Sequence, residues 1–479
     1  MSDDGYRSPL GTRYSSPAMQ RLWGERYRIG IWRRLWLALA ETERELGVAI
    51  PEAALDEMRR HLDDVDLAVA ATYERRFRHD VMAHIHAFGD QAPAARPFIH
   101  LGATSAFVAD NADLIVMRDA MRLILGRLIA VVDALEVFAV RTRDIPCLAY
   151  THFQPAQLTT VGKRATLWIQ DLALDIEDLS HRLETLRLRG CKGTTGTQAS
   201  FLELFNGDHA KVREVDTRVA ARLGFSRVFP VTGQTYSRKA DSQIVDCLSG
   251  VAQSGSKLAN DLRLLQHEGE LLEPFESEQI GSSAMAYKRN PMRAERINAL
   301  ARFVIALQAN PAYTAATQWL ERTLDDSANR RLALPEAFLS VDAILVLAAN
   351  IATGLEVREE VIRRHVNEQM PFMATERWLM LGVSAGGDRQ TLHEVVRKHS
   401  MACAARVSRG ESNDLLDCLA RDPAFAKVPA RTLQAELDPA KYTGRAGPQV
   451  NEFLTEYLHP LLDRARPLAA LAEVAQVTV

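Results

Sequence analysis

The sequence lacks an excess of charge of either sign. Its 479 residues carry 58 lysines and arginines against 61 aspartates and glutamates, a formal net charge of −3. No broad basic field draws in nucleic acid or an anionic membrane, so an anionic ligand has to be met by a local cluster of cations. Cysteine is sparse: Cys147, Cys191, Cys247, Cys403 and Cys418 are far apart and odd in number. That pattern fits reduced thiols in a cytosolic protein and neither a disulfide framework nor a metal clip. Lysine is scarce too, with nine against 49 arginines, so one arginine says little by itself and a lysine in an unusual setting says more. Long apolar runs are missing. The start, Met1 to Ser16, carries Asp3 and Asp4 and no apolar block, and the apolar run Ala343 to Leu355 falls short of the about 20 residues a bilayer needs. The expectation is a cytoplasmic protein with neither nucleic acid nor membrane as partner.

What the chain does have is helical patterning. At 47% hydrophobic and 25% charged residues it has an ordinary globular balance, and at this length about three domains are expected. Between Pro97 and Pro146 the positions Leu114, Met117, Met121, Ile124, Leu128, Val131, Leu135 and Phe138 alternate steps of three and four, the stripe of a long bundle helix. Asp110 is placed to cap its start. After Pro155 a second stripe, Val161, Ala165, Trp168, Leu172, Ile176, Leu179, Leu183 and Leu186, runs to a stop signal near Gly190. The stretches Pro230 to Pro274 and Pro335 to Pro371 are free of interior proline and poor in the period-two alternation of half-buried strands. The fold class predicted is all-α, with an N-terminal helical domain over 1–104, a central long-helix bundle over 105–357 and a C-terminal helical domain over 358–479. Long striped helices hide their apolar faces against one another, so the bundle also predicts a homo-oligomer.

Three polar segments interrupt the helical pattern: Leu101 to Ser105, Ala149 to Pro155, and Ile280 to Pro291. Loops at the ends of rigid helices collect binding chemistry, because unpaired N–H groups there attract anions. The segment Gly281-Ser282-Ser283-Ala284-Met285-Ala286-Tyr287-Lys288-Arg289-Asn290-Pro291 combines a Gly-Ser-Ser start with a basic pair and an amide. It reads as an anion-gripping loop.

This run, GSSAMAYKRNP, closely resembles the signature loop of the fumarase/aspartase superfamily, usually GSSxMPxKxNP. Within that superfamily the chain resembles the adenylosuccinate lyase family. The likeness covers essentially the whole chain, through RHDVMAHIHAFG (Arg78 to Gly89), HLGATS (His100 to Ser105), THFQPAQLTTVGKR (Thr151 to Arg164), KGTTGTQASF (Lys192 to Phe201), TGQTYSRK (Thr232 to Lys239), ERTLDDSANRR (Glu321 to Arg331) and PFMATE (Pro371 to Glu376). One departure is Ala286, where the family has proline.

The resemblance implies three mostly helical domains and a homotetramer built round a long bundle, with active sites shared between subunits. It implies no metal and no organic cofactor. The implied reaction is β-elimination of fumarate from adenylosuccinate, giving AMP, and from the succinyl-carboxamide ribotide SAICAR, giving AICAR. Matching residue by residue, it implies Ser282 as general base, Lys288 as the cation supporting it, His152 as general acid and Glu295 as the carboxylate paired with that histidine. It places Arg13, Tyr14, Arg296, Arg322, Ser327 and Arg331 around the nucleotide, and Arg78, His79 and Asp80 near its phosphate and ribose end. Thr104, Ser105, Gln234, Lys288 and Asn290 would face the succinyl and base portions. The chemistry agrees with these residue types. A β-elimination needs a base, donors for the dianionic aci-carboxylate, and an acid for the departing nitrogen. Imidazole suits the last task, and a serine hydroxyl suits the first only if nearby cations and N–H groups stabilise its alkoxide.

Two lookalikes are set aside. His79, His84 and His86 lie at steps of five and two, which do not share one helix face, so they predict no zinc site. Gly190 to Thr197 has glycines without the GxxxxGK[ST] order of a phosphate loop; it reads as a loop over the ligand. Two other functions share part of the pattern. A sister lyase, such as one for argininosuccinate, would keep the signature loop without needing Arg322, Ser327 and Arg331 for a nucleotide phosphate. A helical scaffold that has lost its activity would need none of Ser282, His152, Lys288 and Glu295.

Overall fold

The first stripe forms one face of a single 38-residue helix, Ser105–Thr142, and all eight of its side chains are buried. At 1.5 Å per residue this rod is roughly 57 Å long. Its N-cap is Thr104, in extended conformation. Asp110 therefore does not cap it: the residue lies inside the helix, buried, and pairs with Arg238 at 3.0 Å. A neighbouring guanidinium in the interior claims the carboxylate that would serve at a free helix end.

In this computed structural model, which describes residues 5–276 and 278–470, the second stripe as far as Leu183 lies in the helix Val161–Thr185, which turns extended at Leu186 and so stops short of Gly190. Lys239–His267, Met292–Leu307 and Asp326–Gly354 complete a set of long helices that pack on one another. The fold is all-α, as the patterning predicts. The helix Glu25–Glu45 lies against the Ser105–Thr142 rod and buries Trp32 and Trp36.

Proline is a poorer marker here than the sequence suggests. Pro335 lies inside Asp326–Gly354, and Pro371 inside Glu359–Met373. Burial of the flanking Ala333, Leu334, Ala337 and Phe338 offsets the roughly 3 kcal/mol that an interior proline costs. Against the expectation drawn from the run Ala343 to Leu355, an apolar window of Asp326–Gly354 has the length and composition to cross a membrane, yet 72% of it is buried inside the protein; its hydrophobic faces are used by packing.

The segment Ala149 to Pro155, expected as an irregular loop, is mostly a β-hairpin, Pro146–Thr151 paired with Gln154–Thr160. A second small pair joins Leu271–Leu272 to Glu356–Val357. Buried apolar side chains form one continuous cluster through the long helices, and Val450, Leu454, Leu458 and Leu461 from the C-terminal region join it. A separate cluster gathers Trp378, Leu379, Leu392, Leu415, Leu419, Phe425 and Leu433.

Candidate active site

The loop Gly281 to Pro291 leads into the helix Met292–Leu307, and its backbone is folded tightly on itself. Gly281 is required by space: a Cβ there would collide with the carbonyl of Lys288. Asn290 Nδ2 donates to the Gly281 carbonyl at 2.9 Å, and the Lys288 N–H donates to the Met285 carbonyl at 3.0 Å. Ser282 Oγ accepts two backbone N–H groups, from Ala284 at 3.3 Å and Met285 at 3.1 Å. The basic pair divides its work. Arg289 makes a two-pronged contact with Glu356 at 2.8 and 3.1 Å and stacks 4.8 Å from the Phe275 ring centre, holding the Glu356 carboxyl below its usual range. The loop's positive charge at its exposed tip is therefore Lys288.

The base of this loop is set by a residue that sequence patterning missed. Glu273, 3% exposed, accepts the N–H groups of Arg293 and Ala294, each at 3.1 Å, and so caps the Met292–Leu307 helix from outside it. Burial pushes its carboxyl up despite those bonds. Glu295 stands in the first turn of that helix on its exposed side, and Arg296 next to it lies 5.6 Å from the Tyr14 ring.

A second group of residues gathers at the N-terminal end of the long rod. His79 Nε2 lies 3.4 Å from Ser105 Oγ, while its Nδ1 caps the helix Asp80–Gln91 by accepting from Met82 N–H at 3.4 Å. Arg78 precedes it in the left-handed region, at φ 56. Asp80 approaches Arg331 at 3.5 Å, and Arg322 donates to Gln234 Oε1 at 3.1 Å. Asp80, Arg322, Ser327 and Arg331 line one cavity of about 300 Å³.

Part of the wall of that cavity is a largely buried charge network. Arg238 binds Asp326 at 2.7 Å and Asp110 at 3.0 Å; Arg330 binds Asp241 at 2.7 Å, Asp113 at 2.9 Å and Tyr236 OH at 2.6 Å. Three long helices are locked together by these bonds. Arg322 lies just before the Asp326–Gly354 helix and Ser327 and Arg331 in its first turns, so the lock also fixes their direction. In the same way Asp342 accepts from Ser16 N–H at 2.6 Å and from Arg127 at 2.6 Å, tying down the segment that carries Arg13 and Tyr14.

His152 stands apart, at the tip of the hairpin. It and Phe153 are the two turn residues, at φ 54 and 57, the left-handed geometry of a two-residue hairpin usually met by Asn-Gly. Each non-glycine residue there costs on the order of 1 kcal/mol. Among the described residues no hydrogen bond or ion pair within the protomer joins His152 to Glu295 or to Ser282.

A model of the lyase family matches residues 13–306, and a model of the adenylosuccinate lyase C-terminus matches residues 371–453. The chain is 50% identical to the adenylosuccinate lyase of Saccharomyces cerevisiae over 455 residues, 94% of each chain, and 48% identical to that of Schizosaccharomyces pombe over 95% of each. The chain belongs to the adenylosuccinate lyase family. It is thus an enzyme, a carbon–nitrogen lyase. Archaeal members are also similar, that of Pyrococcus horikoshii at 30% identity over 95% of this chain. The fold is shared more widely. A 3-carboxy-cis,cis-muconate lactonizing enzyme from Pseudomonas putida superposes with a TM-score of 0.79 at 24% identity, covering 96% of this chain and 99% of its own. A fumarate lyase from Mesorhizobium sp. BNC1 gives 0.78 over 92% and 98%.

Within this family member, the three histidines set aside as a metal site have separate partners: His79 at Ser105, His84 edge-on to Trp32, and His86 stacked on Tyr73 and tilted against Phe77. The pairings of the buried Arg238, Arg330, Asp342 and Glu273 were not legible in the sequence, because a partner more than a dozen residues away leaves no local signal.

Proposed function

We propose that the chain catalyses β-elimination of fumarate from adenylosuccinate, giving AMP, and from SAICAR, giving AICAR. The observation that carries the reading is the pair of N–H groups on Ser282 Oγ. A hydroxyl that already receives two donors has part of the solvation its alkoxide needs, and Lys288 on the same loop supplies positive charge. Ser282 then takes the proton from the carbon next to a succinyl carboxylate. The N–H groups of the loop and Asn290 hold the carboxylate as negative charge builds on it. His152 gives its proton to the nitrogen as the carbon–nitrogen bond breaks, and Glu295 orients the imidazole and favours its charged form.

Arg322, Ser327 and Arg331 on the cavity wall suit a phosphate, and Arg78, His79 and Asp80 suit the phosphate and ribose end of the nucleotide. Arg13, Tyr14 and Arg296 form a further side of the nucleotide site, and Thr104, Ser105 and Gln234 face the succinyl and base portions. The reading includes a homotetramer with shared active sites: His152 is remote from hydrogen-bond contact with Ser282 and Glu295 in its own protomer, and another copy would supply the missing partner. It also includes the division 1–104, 105–357 and 358–479, in which the helices longer than 21 residues fall in the central part, a cytoplasmic location, and catalysis without a metal or organic cofactor.

Fumarate release followed by absorbance tests the reading. Adenylosuccinate should be turned over, and argininosuccinate and malate should not. Activity on argininosuccinate with none on adenylosuccinate would sink it, as would turnover left unchanged by Ser282→Ala and His152→Ala.

A further inference from the structure

Arg189 is 0% exposed, and among the described residues no carboxylate pairs with it. Its guanidinium instead spreads over three main-chain carbonyls: Nε donates to Gln234 at 2.7 Å, one terminal nitrogen to Gly190 at 3.0 Å and the other to Gly193 at 2.8 Å. Burial lowers its pKa, the sign that its charge is held at a cost. An apolar side chain of similar size would fill the same space without that cost. The arrangement of acceptors, rather than packing, accounts for an arginine here.

Those acceptors belong to the loop 190–197 and to Gln234. The side chain of Gln234 joins two segments: Oε1 accepts from Arg322 at 3.1 Å, and Nε2 donates to the Thr194 carbonyl at 3.0 Å. Its own N–H donates to the Glu321 carbonyl at 3.0 Å. The three segments meet backbone to backbone. A Cβ on Gly196, at φ 84, would collide with the Thr232 carbonyl, and one on Gly233 would come within 2.5 Å of the Glu321 carbonyl. The far end of the loop is anchored separately, where Asp216 accepts from Cys191 N–H at 2.5 Å and pairs with Lys192. Together with these contacts, the planar fork of Arg189 ties the Gln234 carbonyl to the Gly193 carbonyl.

We propose that Arg189 is a positioning residue for substrate binding: it fixes the main chain at Gln234 and at Gly193, and through Gln234 it places Arg322 and the 193–197 loop against the ligand. The inference rests on the reading of Gln234 and Arg322 as substrate ligands. Arg189 itself touches neither substrate nor reacting atoms. A lysine keeps the charge and cannot span three carbonyls, so it separates positioning from charge.

The test is steady-state kinetics with adenylosuccinate and thermal unfolding on wild type, Arg189→Lys, Gln234→Ala and the double variant. For Arg189→Lys, KM should rise about tenfold or more while kcat and its pH profile stay near wild type, and the unfolding midpoint, lowered by the carbonyls left unpaired, should still show a cooperative folded state at the assay temperature. The double variant should fall short of the product of the two single effects on KM by about fivefold or more, because residues acting through one contact are not additive. If Arg189→Lys does not fold, Arg189→Gln, which keeps donors and drops the charge, is judged by the same two criteria. An unchanged KM in a folded Arg189 variant, with Gln234→Ala impaired, overturns the inference alone, as do fully multiplicative effects. Wild-type kinetics in Gln234→Ala overturn instead the reading of Gln234 as a ligand, and the role given to Arg189 with it.

Discussion

Ser282 Oγ accepts the backbone N–H of Met285 at 3.1 Å. The bond closes a short turn inside the signature loop and puts a donor on the oxygen that has to become basic. Ser283, beside it, is exposed and has no such arrangement among its described contacts. Ser282→Ala should therefore cost about a thousandfold in kcat, in the range of a lost general base, and Ser283→Ala only a fewfold. Fumarate absorbance assays on the two variants check this; equal losses would remove the distinction between the serines.

Ala286 occupies the second position of the turn closed by Lys288 N–H and the Met285 carbonyl. That position favours proline, the residue of the family pattern. Alanine leaves the loop more freedom to lose on ordering, by an amount of order 1 kcal/mol. Ala286→Pro should raise kcat/KM by up to about fivefold and slow protease cleavage within the loop. Unchanged kinetics together with unchanged cleavage would refute the idea.

Gly281 is held to glycine by the Lys288 carbonyl and by the Phe275 ring, 3.2 Å from where a Cβ would stand. Gly281→Ala has to push Lys288 away from its place while leaving both hydrophobic clusters intact. The expected result is a loss of kcat/KM of roughly a hundredfold or more, comparable to misplacing a reacting group, with an unfolding midpoint near wild type. Full activity in this variant would show that the Gly281–Lys288 contact does not matter.

Asp175, on the Val161–Thr185 helix, is buried with one carboxyl oxygen lacking a hydrogen-bond partner, and burial pushes its pKa up to about 7. The unfolded chain ionises near 3.9. Between those values the folded protein keeps a proton that the unfolded chain has lost, so this group makes stability fall as pH rises from about 4 to about 7, with no further loss above. Asp175→Asn removes the titration. It should be neutral below pH 4 and stabilising by about 4 kcal/mol above pH 7. Denaturant unfolding at pH 5 and pH 8 checks the sign; an equal effect at both would contradict it.

The sequence by itself determined the rods and the loop. Leu114 to Phe138 and Val161 to Leu186 repeat with the helical period, and a local periodic signal survives into the fold because each helix can only bury the face it has. The signature loop was legible for the same reason: Ser282, Lys288 and Asn290 are close in sequence, and their geometry is set by bonds within the loop. Tertiary structure alone decided how distant segments meet. It turned Asp110 from a cap into the partner of Arg238, tolerated Pro335 inside a helix, folded Ala149 to Pro155 into a strained hairpin tip carrying His152, and set Arg189 under Gln234. In each case the deciding partner lies far along the chain or in packing that no local pattern records. Burial raises the worth of such a contact far above any local preference.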